Sequence, residues 1–213
     1  MSESPILYSF RRCPYAMRAR MALMMSGQTV KLREVVLRDK PREMIEASSK
    51  ATVPVLILED GTVIDESLAI MNWALNKNDP EGWSKDRTVS ETLVAEADGE
   101  FKTHLDRYKY PSRYDDVDPI EHRTVGLTIL RSWDRRISGK GQLAGSSRVL
   151  ADIAIFPFVR QFANYDRSWF DAQSIPALQK WLAGHLESDL FQSIMAKYPQ
   201  WKAGDEESVL AQL

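Results

Sequence analysis

The sequence predicts an α/β unit followed by an all-helical one. Three observations carry that reading. Up to about residue 76, short apolar runs alternate with helical periodicity in the order β-α-β-α-β-β-α. A polar, breaker-rich stretch, Asn76-Lys77-Asn78-Asp79-Pro80-Glu81-Gly82, then interrupts the pattern. Beyond it only helical spacing recurs. The expected division is an α/β domain over 1–78, a linker over 79–86 and an all-helical domain over 87–213. A chain of 213 residues accommodates two small domains of this kind.

Ile6–Phe10 is a short apolar run and reads as a strand. Pro14 opens a helix, because the N–H it lacks would be unpaired in a first turn anyway. Met17, Met21, Met24 and Met25 share one face of that helix, and Gly27 stands where a C-terminal cap belongs. Lys31–Leu37 reads as the second strand and Pro41–Ala47 as a short helix. Val53–Leu58 and Thr62–Ile64 flank Asp60-Gly61, a strong hairpin signal. Ser67–Asn76 is an apolar-rich helix. The βαβ start implies a parallel pair with a right-handed crossover, and the hairpin adds an antiparallel strand. In the second half, Leu93, Ala97, Phe101 and Leu105 recur every four residues, as do Val125, Ile129, Trp133 and Ile137. Further helices are expected over Ala151–Phe162, Pro176–Leu186 and Ser188–Lys197, and no strand is expected after the linker.

The composition, 44% hydrophobic and 27% charged, supports an ordinary packed core. A net charge of −2 gives no overall basic field for nucleic acid or an anionic membrane. One cysteine rules out an intramolecular disulfide and is too few for a Cys₄ zinc site or an iron–sulfur cluster. His104, His122 and His185 lie far apart in sequence with no metal-binding spacing, so no metal is expected. The first residues, MSESPILYSF, do not read as a signal peptide, and no run of about 18 apolar residues occurs. The expected setting is cytoplasmic and reducing.

The chemistry concentrates in Phe10-Arg11-Arg12-Cys13-Pro14-Tyr15-Ala16-Met17-Arg18. Cys13 falls where the first strand meets the first helix. Open α/β sheets bind ligands at that end of their strands. A helix N-terminus stabilises a thiolate through its unpaired N–H groups and dipole, and Arg11, Arg12 and Arg18 add positive charge. A lone cysteine is more often a small buried hydrophobe, but this junction favours a reactive thiol.

Cys13-Pro14-Tyr15-Ala16 after a first strand resembles the redox motif of the thioredoxin/glutaredoxin fold, with alanine in place of the resolving cysteine. That combination is similar to the omega class of glutathione transferases and its bacterial relatives. Asp39-Lys40-Pro41, Thr52-Val53-Pro54-Val55-Leu56 and Asp65-Glu66-Ser67 resemble further motifs of the family. Gly145 and Ala151-Asp152 resemble its buried helix start. The resemblance implies the glutathione transferase fold, a thioredoxin-like domain followed by helices, with glutathione as co-substrate. It implies glutathione contacts from Phe10, Tyr15, Lys40, Val53, Pro54, Glu66 and Ser67. Val53–Pro54 would be cis, Val53 would pair its backbone with the cysteinyl part, and Glu66 and Ser67 would hold the γ-glutamyl end. Serine and acid before an apolar helix are also simple caps. The family usually has Ser or Thr three residues before the buried aspartate; Val149 stands there, and Ser146 or Ser147 could substitute through a shifted start.

The leading expectation is glutathione-dependent thiol transfer, with dehydroascorbate reduction as a related activity, through a Cys13–glutathione mixed disulfide. One alternative is conjugation of glutathione to electrophiles, with Ser9 or Tyr8 as hydroxyl donor. Another is a non-enzymatic adaptor or stress regulator of the same fold. The expected partners are glutathione and a small disulfide or electrophile, with monomer and homodimer both open. A second-substrate pocket is expected between the domains, with Tyr108, Tyr110, Tyr114, Trp169 and Phe170 as walls.

Overall fold

Strand β1 (Ile6–Ser9) lies at the centre of a sheet because Leu7, Tyr8 and Ser9 are all fully buried, leaving it no solvated face. The computed structural model describes residues 4–211. Those residues form two compact units, one comprising residues up to Pro80 together with Ser188 onward, the other Glu81–Glu187.

In the first unit, α1 (Pro14–Met25) follows β1, then come β2 (Val30–Glu34), α2 (Arg42–Ala47), β3 (Val55–Ile57), β4 (Val63–Ile64) and α3 (Ser67–Lys77). β1 and β2 are parallel, and β3 and β4 are antiparallel to their neighbours. This is the thioredoxin-like order read from the sequence. Helix α1 is buried on almost every side, packing against α3 and against α10 (Asp189–Ile194). Gly27 closes α1 with φ +71°, and the Gln28 N–H bonds back to the Leu23 carbonyl at 3.0 Å. That left-handed geometry is nearly free for glycine and costly for side chains.

The expectation of no strand after the linker is overturned. β5 (Ser208–Leu210) pairs antiparallel with β2, Val30 opposite Leu210 and Leu32 opposite Ser208. The described residues thus form a five-stranded sheet ordered β4-β3-β1-β2-β5. Three residues, of which Val209 is exposed, are too few to show alternation. They become a strand because β2 offers an open edge, so the partner decides where propensity is silent. β2 also stops at Glu34, not Leu37: the Val35 N–H turns to the Ser9 carbonyl (2.7 Å), and Val36 bridges Asp39.

The second unit is helical: α4 (Arg87–Glu96), a π-helical turn Ala97–Phe101, α5 (Lys102–Lys109), α6 (Pro119–Ile137), α7 (Leu150–Ala163), α8 (Arg167–Asp171) and α9 (Pro176–Glu187). Leu93, Ala97, Phe101 and Leu105 are all buried, so their four-residue spacing does mark one inward stripe. Helix α7 starts at Leu150, with Val149 as its N-cap. The Asp152 carboxylate accepts the Val149 N–H (3.0 Å), the Leu143 N–H (2.8 Å) and the Trp181 indole N–H (3.0 Å). The bond a serine cap would give is replaced by the Asp152 N–H donating to the Val149 carbonyl at 3.0 Å. No shifted start at Ser146 or Ser147 is needed. Burial pushes the Asp152 carboxyl up, and these hydrogen bonds pull it back.

His104 and His122, distant in sequence, meet with ring nitrogens 2.7 Å apart. Among the described residues no group of three or more His, Cys, Asp or Glu side chains is placed to hold a metal ion. No helix among them is long and apolar enough to cross a membrane.

Candidate active site

Cys13 is the N-cap residue of α1, with extended backbone (φ −75°, ψ 122°) and Pro14 in the first turn. Its N–H bonds the Phe10 carbonyl at 3.0 Å, closing a tight turn after β1, and its carbonyl accepts the Met17 N–H at 2.9 Å. The side chain is half-buried and directs its thiol toward the Val53 carbonyl oxygen, 3.7 Å away. A strand that ends, a turn of three residues and a proline-started helix are what place a sulfur at the positive end of a helix dipole.

Val53 faces the thiol. The Val53–Pro54 bond is cis, as the sequence resemblance implied. Phe10 and Cys13 both pack against a cluster of Tyr8, Val35, Met44, Val53, Val55 and Trp201. The arginines are arranged differently from a simple positive halo. Arg12 is exposed and lies over the Phe10 ring, 5.4 Å from its centroid. Arg18 is buried, 5.0 Å from the Tyr15 ring centroid, and its Nε donates to the Ser67 hydroxyl at 3.0 Å. Arg18 thus joins the cysteine helix to the first residue of α3.

At that helix start, Glu66 is the N-cap and is largely exposed, while Ser67 is buried. Lys50 donates to both Asp65 (3.1 Å) and Glu66. The Ser48 hydroxyl donates to Asp65 at 2.7 Å, and that bond, then Lys50, holds the Asp65 carboxyl below its usual range. Lys40 is half-buried between β2 and α2. Next to it, Gln200 donates to the Asp39 carboxylate at 2.8 Å. Lys50, Arg18 as a buried link, Glu34 and Trp201 lie around this candidate site without having been legible there from the sequence. The available signal was two arginines, Arg18 and Arg20, inside a helix of Ala, Met and Leu, where a charge must be either paired or functional.

Both alternative hydroxyls are buried. Tyr8 is fully enclosed, with its hydroxyl accepting from Arg33 and its ring edge-on to Trp201 at 6.0 Å. Burial pushes the Tyr8 phenol up, and Arg33 only partly offsets this. Ser9 is likewise fully buried.

The expected second-substrate aromatics all lie in the helical unit. Tyr108 is buried against Phe162 (5.1 Å) and Tyr165 (4.7 Å). Trp169 lies under the Arg123 guanidinium at 4.3 Å. Tyr108, Pro119, Ile120, Arg123 and Tyr165 line a cavity of about 640 Å³. Tyr110 accepts from Gln161 at 3.4 Å and is covered by Arg113. Tyr114 is partly exposed beside Arg107. Phe170 is wholly buried and belongs to the core.

Residues 7–82 match the family model of the glutathione S-transferase N-terminal domain. The fold is that of the glutathione transferases. A Pseudomonas putida glutathione transferase, solved with one glutathione disulfide per subunit, is 21% identical, with 91% of each chain covered and a TM-score of 0.77. A glutathione transferase family member from Pseudomonas fluorescens, solved with two glutathiones bound, is 20% identical over 92% of this chain and 93% of its own, with a TM-score of 0.78. Glutathione transferase Omega 3C from Trametes versicolor is 19% identical over 90% and 84%, with a TM-score of 0.74. No curated protein sequence matches the chain.

Proposed function

We propose that the protein is a glutathione-dependent thiol transferase in which Cys13 is the nucleophile. One observation carries the reading. Cys13 is half-buried at the start of α1, beside the Val53 carbonyl, while the hydroxyls of Tyr8 and Ser9 lie in the core. Conjugation needs a donor facing the glutathione sulfur, and neither hydroxyl considered for that role is exposed.

In this mechanism the Cys13 thiolate attacks the glutathione sulfur of a mixed disulfide. The Cys13–glutathione bond forms as the old S–S bond breaks, and the other thiolate leaves. A second glutathione thiolate then attacks the bound glutathione sulfur, releasing glutathione disulfide and regenerating Cys13. Ala16 offers no second thiol, so the external glutathione is obligatory. Val53 pairs its backbone with the cysteinyl part of the ligand, and Glu66 and Ser67 hold its γ-glutamyl end. Phe10, Tyr15 and Lys40 complete the binding surface. That the P. putida and P. fluorescens structures carry glutathione disulfide and glutathione supports this choice of ligand.

Arg18 donates to the Ser67 oxygen, so the Ser67 hydroxyl proton is directed elsewhere and serves the ligand carboxylate. Ser67→Ala is expected to raise the Michaelis constant for glutathione by about 10–150-fold, the loss of one hydrogen bond to a charged group. Calorimetry showing unchanged glutathione affinity would reduce Ser67 to a helix start.

The direct test compares hydroxyethyl disulfide with chlorodinitrobenzene as second substrate, and analyses the intact protein by mass spectrometry after incubation with glutathione disulfide. Disulfide exchange with a single, thiol-reversible glutathione adduct on Cys13 is expected. Conjugation without an adduct would replace this reading, and inertness in both assays would favour a non-enzymatic role.

A further inference from the structure

Beneath the Cys13 turn lies a buried charge pair that the mechanism so far leaves unused. Ser9 and Glu34 are register partners in the parallel β1–β2 pair, so their side chains share one face of the sheet. Arg20 of α1 reaches that face, its Nη1 3.7 Å from Glu34 Oε2. Arg20 is wholly buried and Glu34 nearly so. The other carboxylate oxygen, Oε1, accepts the Arg11 backbone N–H at 2.7 Å. The Glu34 carbonyl accepts the Trp201 N–H at 2.9 Å, and Arg20 donates to the Ile194 carbonyl at the end of α10.

Arg20 Nε and Nη1, Glu34 Oε2 and Ser9 Oγ are buried without a hydrogen bond in the structure. A buried pair with this incomplete satisfaction is a poor source of net stability. What it does achieve is local. One carboxylate oxygen fixes the Arg11 N–H, and with it the Phe10–Cys13 turn. Burial pushes the Arg20 guanidinium down to about 10, with Glu34, Tyr198 and Cys13 opposing this and Arg11 adding to it. Arg20 stands on the same helix as Cys13, about two turns beyond the thiol.

We propose that Glu34 and Arg20 are positioning residues for Cys13. The carboxylate fixes the turn that presents the thiol, and the buried guanidinium supplies positive charge behind it. This rests on Cys13 being the nucleophile. The charged and titratable groups around the pair and the thiol are Arg11 and Arg12 on the turn, Arg20 on α1, Glu34 on β2 and Tyr198 after α10.

The test is the pH dependence of Cys13 alkylation by iodoacetamide in the parent, in Glu34→Gln, and in the Glu34→Gln/Arg20→Met double variant. Glu34→Gln keeps an acceptor for the Arg11 N–H but removes the negative charge. Its alkylation midpoint is expected to fall by about half a pH unit, roughly threefold more thiolate at a given pH below the midpoint. The double variant loses the cation as well, and its midpoint is expected to rise above that of Glu34→Gln. Its disulfide-exchange kcat is expected to fall about tenfold, with the glutathione KM within about twofold. The double variant leaves no lone buried charge, so it keeps the test open should Glu34→Gln alone fail to fold. Coinciding midpoints with an unchanged kcat would overturn the proposal. Alkylation reads the thiol directly, so midpoints that move as expected in a protein without disulfide exchange would sustain this inference and sink the thiol-transfer reading.

Discussion

Cys13→Ser should abolish glutathione-dependent reduction of hydroxyethyl disulfide while leaving the protein folded and still able to bind glutathione. An oxygen in place of the half-buried sulfur cannot form the mixed disulfide, and Ala16 supplies no substitute. A loss of about a thousandfold or more is expected, as for removal of other covalent nucleophiles, which corresponds to roughly 4 kcal/mol of transition-state stabilisation. The contacts assigned to glutathione include Glu66 and Ser67, which the substitution does not touch, and a serine hydroxyl can still face the Val53 carbonyl as the thiol does. Calorimetry should therefore show glutathione affinity within a few-fold of the parent. A serine variant with full exchange activity would refute the mechanism. A variant that lost binding and activity together would show that Cys13 is first a binding residue.

The largest effect on stability is expected at Asp152, far from that chemistry in sequence. Asp152→Ala strands the Val149 and Leu143 N–H groups in the core and removes one of two acceptors of the Trp181 indole, which also bonds Gln142. Unsatisfied buried donors cost about 1–3 kcal/mol each, so a loss of roughly 3–5 kcal/mol is expected, a large share of the 5–15 kcal/mol typical of a folded domain. Asp152→Asn keeps the shape and one acceptor oxygen, and should recover about half. Urea unfolding measures both, and a loss below about 1 kcal/mol for the alanine variant would mean that water or the Gln142 side chain takes over the donors.

The sequence revealed most where local chemistry alone decides. Pro14 after Cys13, Gly27 after the methionine helix and Asp60-Gly61 between strands each need one backbone geometry, and each marked an element boundary. The candidate cysteine site was legible for the same reason, since Pro14 after a strand marks the helix N-terminus at which Cys13 stands. The parts that stayed hidden depend on residues brought together by the fold. Nothing near Glu34 announces Arg20 as its partner, and nothing in Ser208–Leu210 announces β2. Trp201 lies in a polar stretch of sequence, yet it is buried against Tyr8 and stacks on Arg33 at 3.9 Å. The His104–His122 pair shows the same limit, because spacing in sequence says nothing of neighbours on different helices.

The pairing of β5 with β2 also sets a timetable for biosynthesis. The first unit's sheet needs residues from both ends of the described chain, with the whole helical unit synthesised in between. At about 5–20 residues per second, the residues from Glu34 to Leu210 take roughly 10–35 s to emerge. Through that interval the outer edge of β2 has no strand beside it, and such an edge invites pairing with a neighbouring nascent chain. Lys31 and Arg33, alternating along β2 with Val30 and Leu32, put charge on the exposed strand during the wait, which is how natural sequences discourage that outcome. Arg33 is afterwards taken up by Glu207, just ahead of β5, so the charge that guards the edge in the growing chain becomes the clasp beside the strand that finally covers it.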